Sequence, residues 1–252
     1  MVAPTTVFLS DRSPFGTFLV SNKSAAPQEV TISFRFGYPA SDSAGNVFMN
    51  YKDSLAEQKY SITQWLKAFP QKFVLQPLEE QTIRFLIHPP SGIEDGLYWT
   101  RLVTSTRPVS APVETVSTGI TAQITFVIEQ VTTIVYKKGK VYTNLSVGNP
   151  QVSQDSSALH ITVPVERSGN SPFFGTIVLR LYDPNTKRYL RESTESSAIY
   201  FNCVKRFSIP LSELRAGKYD AELTFSSGRI DLPQEEIPQI APITKRFSFE
   251  VR

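Results

Sequence analysis

Apolar and polar residues alternate through the stretch 119–136 for longer than in an ordinary strand, and the rest of the chain is read around it. Ile120, Ala122, Ile124, Phe126 and Ile128 occupy one set of alternate positions, and Thr121, Gln123, Thr125 and Val127 the other. A pleated strand has a side-chain period of two, so the first set forms an almost wholly apolar row on one face. The polar pair Glu129-Gln130 interrupts the row, and apolar residues resume at Val131, Ile134, Val135 and Tyr136. Strands usually run to about 5–6 residues and seldom beyond ~10, which leaves two readings open. In one, the second half is built into a sheet while the first half offers its apolar row to another chain. In the other, 119–136 is a core strand crossing a whole sandwich.

The same period recurs in shorter pieces. Segments 6–9, 16–20, 29–37, 73–75, 81–88 and 96–104 read as strands separated by Gly, Pro, Ser and Asn clusters. With 119–136 they make about seven strands at roughly ten-residue spacing, the rhythm of an immunoglobulin-like sandwich. Between them, 41–59 is polar and irregular. Ser61, with Gln64 three residues later, predicts a capping box on one or two helical turns that end at Pro70. Segment 107–118 has no apolar period and reads as a long mobile loop.

The lysines at 137, 138 and 140 mark a boundary. Beyond it, 141–147, 158–167, 176–182, 198–206, 218–225 and 245–252 predict a second β-sandwich, and 230–242, with three prolines, predicts a second long loop. The expected division is residues 1–136 and 137–252, both all-β. Composition agrees with this class, since 18 prolines, 17 phenylalanines and 10 tyrosines favour strands and turns over long helices.

Charge narrows the partners. Lys+Arg 26 against Asp+Glu 23 gives a net charge of +3 without a dense basic run, so neither nucleic acid nor a polybasic membrane anchor is expected. No apolar run is long enough to span a bilayer, and residues 1–10 lack the regions of a secretory signal. Cys203 is the single cysteine, so no intrachain disulfide forms and no paired-cysteine metal pattern exists.

Catalytic and metal chemistry is not expected either. His88 and His160 fall within strand patterns and outside any metal-ligand spacing. Ser171 lacks the glycine two residues later that a nucleophile elbow requires. Glu94-Asp95 and Glu235-Glu236 are adjacent turn carboxylates, and no phosphate or dinucleotide fingerprint occurs. These observations predict a non-enzyme without metal or cofactor.

Four places resemble the amino-terminal domain of PapD-like periplasmic pilus chaperones. Pro4 to Leu9 and Phe18-Leu19-Val20-Ser21-Asn22 are similar to that family's first two strands. Phe73-Val74-Leu75-Gln76-Pro77-Leu78-Glu79-Glu80-Gln81-Thr82-Ile83-Arg84 resembles its F-x-L-x-P-x-x-x-Q-x-x-R hairpin, the most specific match. Asp95-Gly96-Leu97-Tyr98-Trp99-Thr100-Arg101 resembles the strand before its long loop, and 124–137 its subunit-binding strand. The second half resembles the family only in length and β pattern.

The resemblance implies two immunoglobulin-like domains set in an L. It also implies a periplasmic chaperone that lends its strand to an incomplete fibre subunit for delivery to an outer-membrane usher, the donor-strand mode of strand addition. Ala122, Ile124, Phe126 and Ile128 then form the inserted row. The family's basic clamp for a subunit's terminal carboxylate falls at Thr6 and Thr133, neither of which carries charge. The resemblance places Lys137 at a basic position that joins the interdomain contact, and a solvated linker lysine is the other reading. A second class of function stays open: a structural or adhesive two-sandwich protein that self-associates through the same exposed strand.

Overall fold

The computed structural model describes residues 1–109, 126–229 and 231–251. The chain folds as two compact units. The first comprises Met1–Gly37, Asp53–Glu94 and Tyr98–Lys138, and the second Tyr38–Lys52, Asp95–Leu97 and Gly139–Arg252. Both are all-β immunoglobulin-like sandwiches, as the alternation predicted.

In the first unit, β1 (Val2–Ala3), β3 (Phe15–Ser21), β9 (Glu80–Ile87) and β7 (Leu66–Phe69) form one sheet in the order β1-β3-β9-β7. The other sheet has the order β2-β11-β10-β4-β8, from β2 (Thr6–Ser10), β4 (Gln28–Arg35), β8 (Lys72–Leu75), β10 (Gly96–Pro108) and β11 (Ile128–Lys138). Alternate residues of each strand meet between the layers. Phe18, Val20, Ile83 and Phe85 come from the first sheet, and Val30, Ile32, Leu102, Ile134 and Tyr136 from the second. Burying each such side chain contributes about 1.5–3 kcal/mol.

In the second unit, β12 (Thr143–Val147) and β13 (Gln151–Gln154) both pair with β14 (Ala158–Gly169), which also pairs with β17 (Cys203–Pro210). The facing sheet is β16-β15-β18-β19, built from β15 (Phe173–Tyr182), β16 (Tyr189–Ile199), β18 (Gly217–Ser227) and β19 (Ile243–Val251). Leu159, Ile161, Val163, Ile177, Leu179, Leu223 and Phe225 fill its core. A two-stranded hairpin from early in the chain, β5 (Tyr38–Ser41) with β6 (Val47–Asn50), belongs to this unit.

Four expectations are corrected. The helix is α1 (Ser54–Tyr60), inside the stretch read as irregular. Asp53 caps it, its side chain accepting from the Ala56 amide at 2.9 Å. Ser61 is where that helix stops; its Oγ accepts from Thr63 N, and only the short 3₁₀ turn Thr63–Trp65 follows. The turn and second strand of the hairpin β5–β6 lie in the same misread stretch. Arg107 and Pro108 continue β10 opposite Glu29 and Gln28 rather than opening a loop, with Arg107 bound to both Glu29 carboxylate oxygens at 3.0 Å. The remainder of that predicted loop, from residue 110, lies outside the described residues. The expected strand 198–206 is instead the end of β16, a turn and the start of β17. The loop expected over 230–242 does connect β18 to β19; it carries the 3₁₀ turn Gln234–Glu236 and buries Leu232 and Ile237, and residue 230 is outside the described residues.

Candidate functional site

The register of β11 builds the site. Strand β2 pairs with it in parallel, with Thr6, Val7, Phe8, Leu9 and Ser10 opposite Thr133, Ile134, Val135, Tyr136 and Lys137. One further backbone bond, from Thr133 N to Thr5 O at 3.2 Å, closes the pairing. On the opposite side β11 neighbours β10. Among the described residues, 128–132 therefore has no strand along the edge that β2 covers farther on. Unpaired strand edges invite strand addition.

Side-chain parity gives that edge its chemistry. Thr132, Ile134 and Tyr136 point into the sandwich and are buried, and Ile128 shares their parity. Yet Ile128 is 61% exposed, and Phe126, two residues earlier and just outside the strand, is 75% exposed. Past Gln130, which interrupts it, the row that lines the unit's own core thus resumes as two uncovered apolar side chains. Val127 and Val131 are exposed on alternate positions. Ala122 and Ile124, the other residues expected in the row, lie outside the described residues, as does the strand expected over 119–125.

Thr6 and Thr133 are brought together, directly opposite in the parallel register. Sequence reading missed the third member of this group. Arg101 of β10 is only 7% exposed; its Nε donates to Gly37 O at 2.9 Å and its Nη1 to Thr133 Oγ1. Gly37 O also accepts from Trp99 Nε1 at 3.2 Å. A buried guanidinium therefore meets one of the two neutral hydroxyls, that of Thr133, and brings a positive charge to the place where the β11 edge opens. Charge-assisted hydrogen bonds are about twice as strong as neutral ones. The available signal was an arginine within the largely apolar stretch 97–103 of β10, a charge that burial requires to be partnered.

The far end of β11 is clamped. Asp11 accepts from the Tyr136 hydroxyl and, at 2.6 Å, from Lys138 Nζ. The Lys138 ammonium, then the Tyr136 hydroxyl, hold the Asp11 carboxyl below the usual carboxylate range. Burial and then Asp11 push the Tyr136 phenol up. Lys137 lies between them, opposite Ser10 and half-buried. This end is fixed while the other is open.

The residues set aside as non-catalytic are placed as follows. His88 is exposed, and Ser171 is fully buried with its hydroxyl on Pro172 O at 3.0 Å. His160 lies on β14 between Asp155 and Ser208, at 2.8 and 2.9 Å.

No family model and no curated protein sequence matches the chain. Solved structures do. The YadV chaperone is similar over 99% of this chain and 98% of its own, with a TM-score of 0.51 at 10% identity. The Salmonella enterica SafB chaperone, solved with the SafA pilin, gives 0.47 at 12% identity over 98% and 95%. CsuC of Acinetobacter baumannii, solved with the tip adhesion subunit CsuE, gives 0.46 at 12% identity over 98% and 96%. At 10% identity the likeness to YadV is one of fold, and on that ground the chain has the all-β, two-domain fold of the PapD-like fimbrial chaperones.

Proposed function

We propose that this protein is a periplasmic chaperone for surface-fibre subunits, which it holds by adding the open edge of β11 to an incomplete sandwich. The observation that carries this reading is the continuation of the core row of β11 beyond its own sandwich. Phe126 and Ile128 are exposed there, on the side of Thr133 where β2 no longer pairs. The backbone edge supplies ladder hydrogen bonds and the row fills the groove left by a missing strand. Phe126 and Ile128 together would contribute ~3–6 kcal/mol before ordering costs.

A captured strand running along 128–132 meets β2 at Thr6 and must end or turn there. A terminal carboxylate arriving at that point finds the Thr6 and Thr133 hydroxyls with Arg101 behind them. Arg101 takes the part for which the sequence offered no basic residue at positions 6 and 133. Ala122 and Ile124 extend the row in this reading, and delivery to an outer-membrane usher follows from the same function.

The test is co-purification. The tagged protein, carrying a secretory signal, is isolated from the periplasm of its source cells and its partners are identified by mass spectrometry. Small sandwich subunits lacking a strand are expected with the native chain and absent with Phe126→Glu combined with Ile128→Glu. Recovery of such subunits with the double variant, or none with the native chain, overturns the reading. The same row also suits pairing between two copies of this chain, the structural or adhesive alternative; that reading predicts a dimer that the double variant makes monomeric in sedimentation.

A further inference from the structure

A second constellation, in the other unit, is not used by strand addition. The hairpin β5–β6 is held at two places. At its base, Tyr38 packs on Phe201 with ring centroids 4.6 Å apart, and Ser41 Oγ accepts from Val204 N at 2.7 Å. At its tip, Arg206 of β17 donates from Nη1 to Asn46 Oδ1 at 2.9 Å. The tip sits directly on that residue. Gly45 has φ +81°, and a Cβ there would come within 2.6 Å of Arg206 Cβ.

The same guanidinium rests on an imidazole. Arg206 Nη2 is 3.0 Å from His160 Nδ1 and 3.1 Å from Nε2, a near-equal approach that sets it against the ring. His160 Nε2 meets Asp155 Oδ2 at 2.8 Å, and Nδ1 meets Ser208 Oγ at 2.9 Å. The Asp155 carboxylate is fixed in turn by the amides of Ser157 and Ala158, at 2.7 and 2.9 Å. The charged groups around His160 are thus Asp155 from the loop before β14 and Arg206 from β17. Strand β13 presents Ser153 opposite it, and the hairpin presents Asn46, itself bound to Asp42 at 2.8 Å.

We propose that His160 is a proton-sensitive catch for the hairpin tip: the neutral imidazole lets Arg206 lie against it and hold Asn46, and protonation drives Arg206 off. With Nε2–H donating to Asp155, neutral Nδ1 gives its lone pair to Ser208, and the guanidinium lies on the π face of an uncharged ring. On protonation the ring becomes a cation, its attraction for the guanidinium turns to repulsion, and two cations stand about 3 Å apart. Asp155 offsets part of that repulsion on the far side of the ring but makes no hydrogen bond to Arg206 among the described contacts. The base of the hairpin rests on ring packing by Tyr38 and a hydroxyl contact by Ser41, and neither a phenol nor a hydroxyl changes charge between pH 7.5 and 5.5. The tip 42–46 therefore loosens while 38–41 stays in place.

Backbone amide exchange on the full chain tests this, with rates corrected for intrinsic pH dependence. When the pH is lowered from 7.5 to 5.5, exchange in 42–46 should rise about three- to tenfold, the worth of one net hydrogen bond. Exchange in 38–41 should not change. His160→Gln should abolish the pH dependence, and Arg206→Met should give fast exchange at both pH values. Equal acceleration in His160→Gln, or none in the native chain, overturns the proposal. If His160→Gln is misfolded by circular dichroism, the native protein decides by NMR: the Gly45 amide shift must titrate with the midpoint of the His160 ring protons, and a different midpoint refutes the catch.

Discussion

Thr6 and Thr133 face each other across parallel strands at the point where the edge of β11 changes from covered to open. Arg101 donates to the Thr133 hydroxyl from behind. This relationship reverses one inference that the sequence invites. With neutral residues at both anchor positions, Thr133→Lys looks like the restoration of a missing charge. In the structure it places an ammonium beside a buried guanidinium and removes the acceptor that Arg101 uses. Thr133→Lys should cost ~1–3 kcal/mol of folding stability and weaken subunit capture, as read by urea melts and pull-down. A stable, tighter-binding Thr133→Lys would show that Arg101 does not charge this site.

Phe126 and Ile134 separate presentation from packing on one strand. Phe126→Glu should move stability by no more than ~0.5 kcal/mol while abolishing capture. Ile134→Ala, at a fully buried position of the same row, should cost ~2–5 kcal/mol. Thermal melts of the two variants suffice. A large loss of stability in Phe126→Glu would return the row to the role of a core strand.

Asp11 makes the first unit acid-sensitive. Its folded pKa lies below the ordinary value of 3.8 because of Lys138 and Tyr136. A depressed carboxylate contributes stability above its unfolded pKa and loses it as pH falls through the folded one. Asp11→Asn should therefore lower Tm at pH 7, and the gap to the native chain should shrink as pH drops below about 4. A gap that stays constant down to pH 2 would mean that the charge on Asp11 is not what matters.

Gly45 is the tightest point of the hairpin tip. Gly45→Ala meets both a left-handed φ and the Arg206 side chain, and should cost ~1–3 kcal/mol. A melt unchanged from the native chain would show that the tip has room to shift away from Arg206.

Most strands were legible because their two faces differ. Strands β4, β9 and β14 alternate buried and exposed residues, and the period of two shows it directly. Strand β16 did not show, since Tyr189–Ile199 is polar almost throughout and only Ser197 and Ile199 of it are buried. An edge strand with little to bury carries little pattern. The hairpin β5–β6 was hidden for a related reason: Val47, Phe48 and Met49 are all exposed. Helix α1 was missed because its start rests on one aspartate side chain, Asp53, while the more conspicuous Ser61-Gln64 spacing has only a three-residue 3₁₀ turn behind it. Of the candidate site, Phe126 and Ile128 stood out in the sequence as alternating apolar residues. Arg101 did not, because its acceptors are Gly37 and Thr133, 64 and 32 residues away, and only the fold brings them together.

The parallel pairing of β2 with β11 also fixes an order of events. Its partners are 127 residues apart, from Thr6 to Thr133 (133 − 6), so β2 cannot take its place in the five-stranded sheet until the chain has been made as far as residue 137. Non-local pairings of this kind close late and slowly. During synthesis the first ~125 residues wait with one sheet incomplete. The strand that ends the wait is the one that begins at Ile128, two residues after Phe126. Completion of the unit and the first appearance of its apolar row at the surface are thus one step, and a half-made chain has no finished edge to offer.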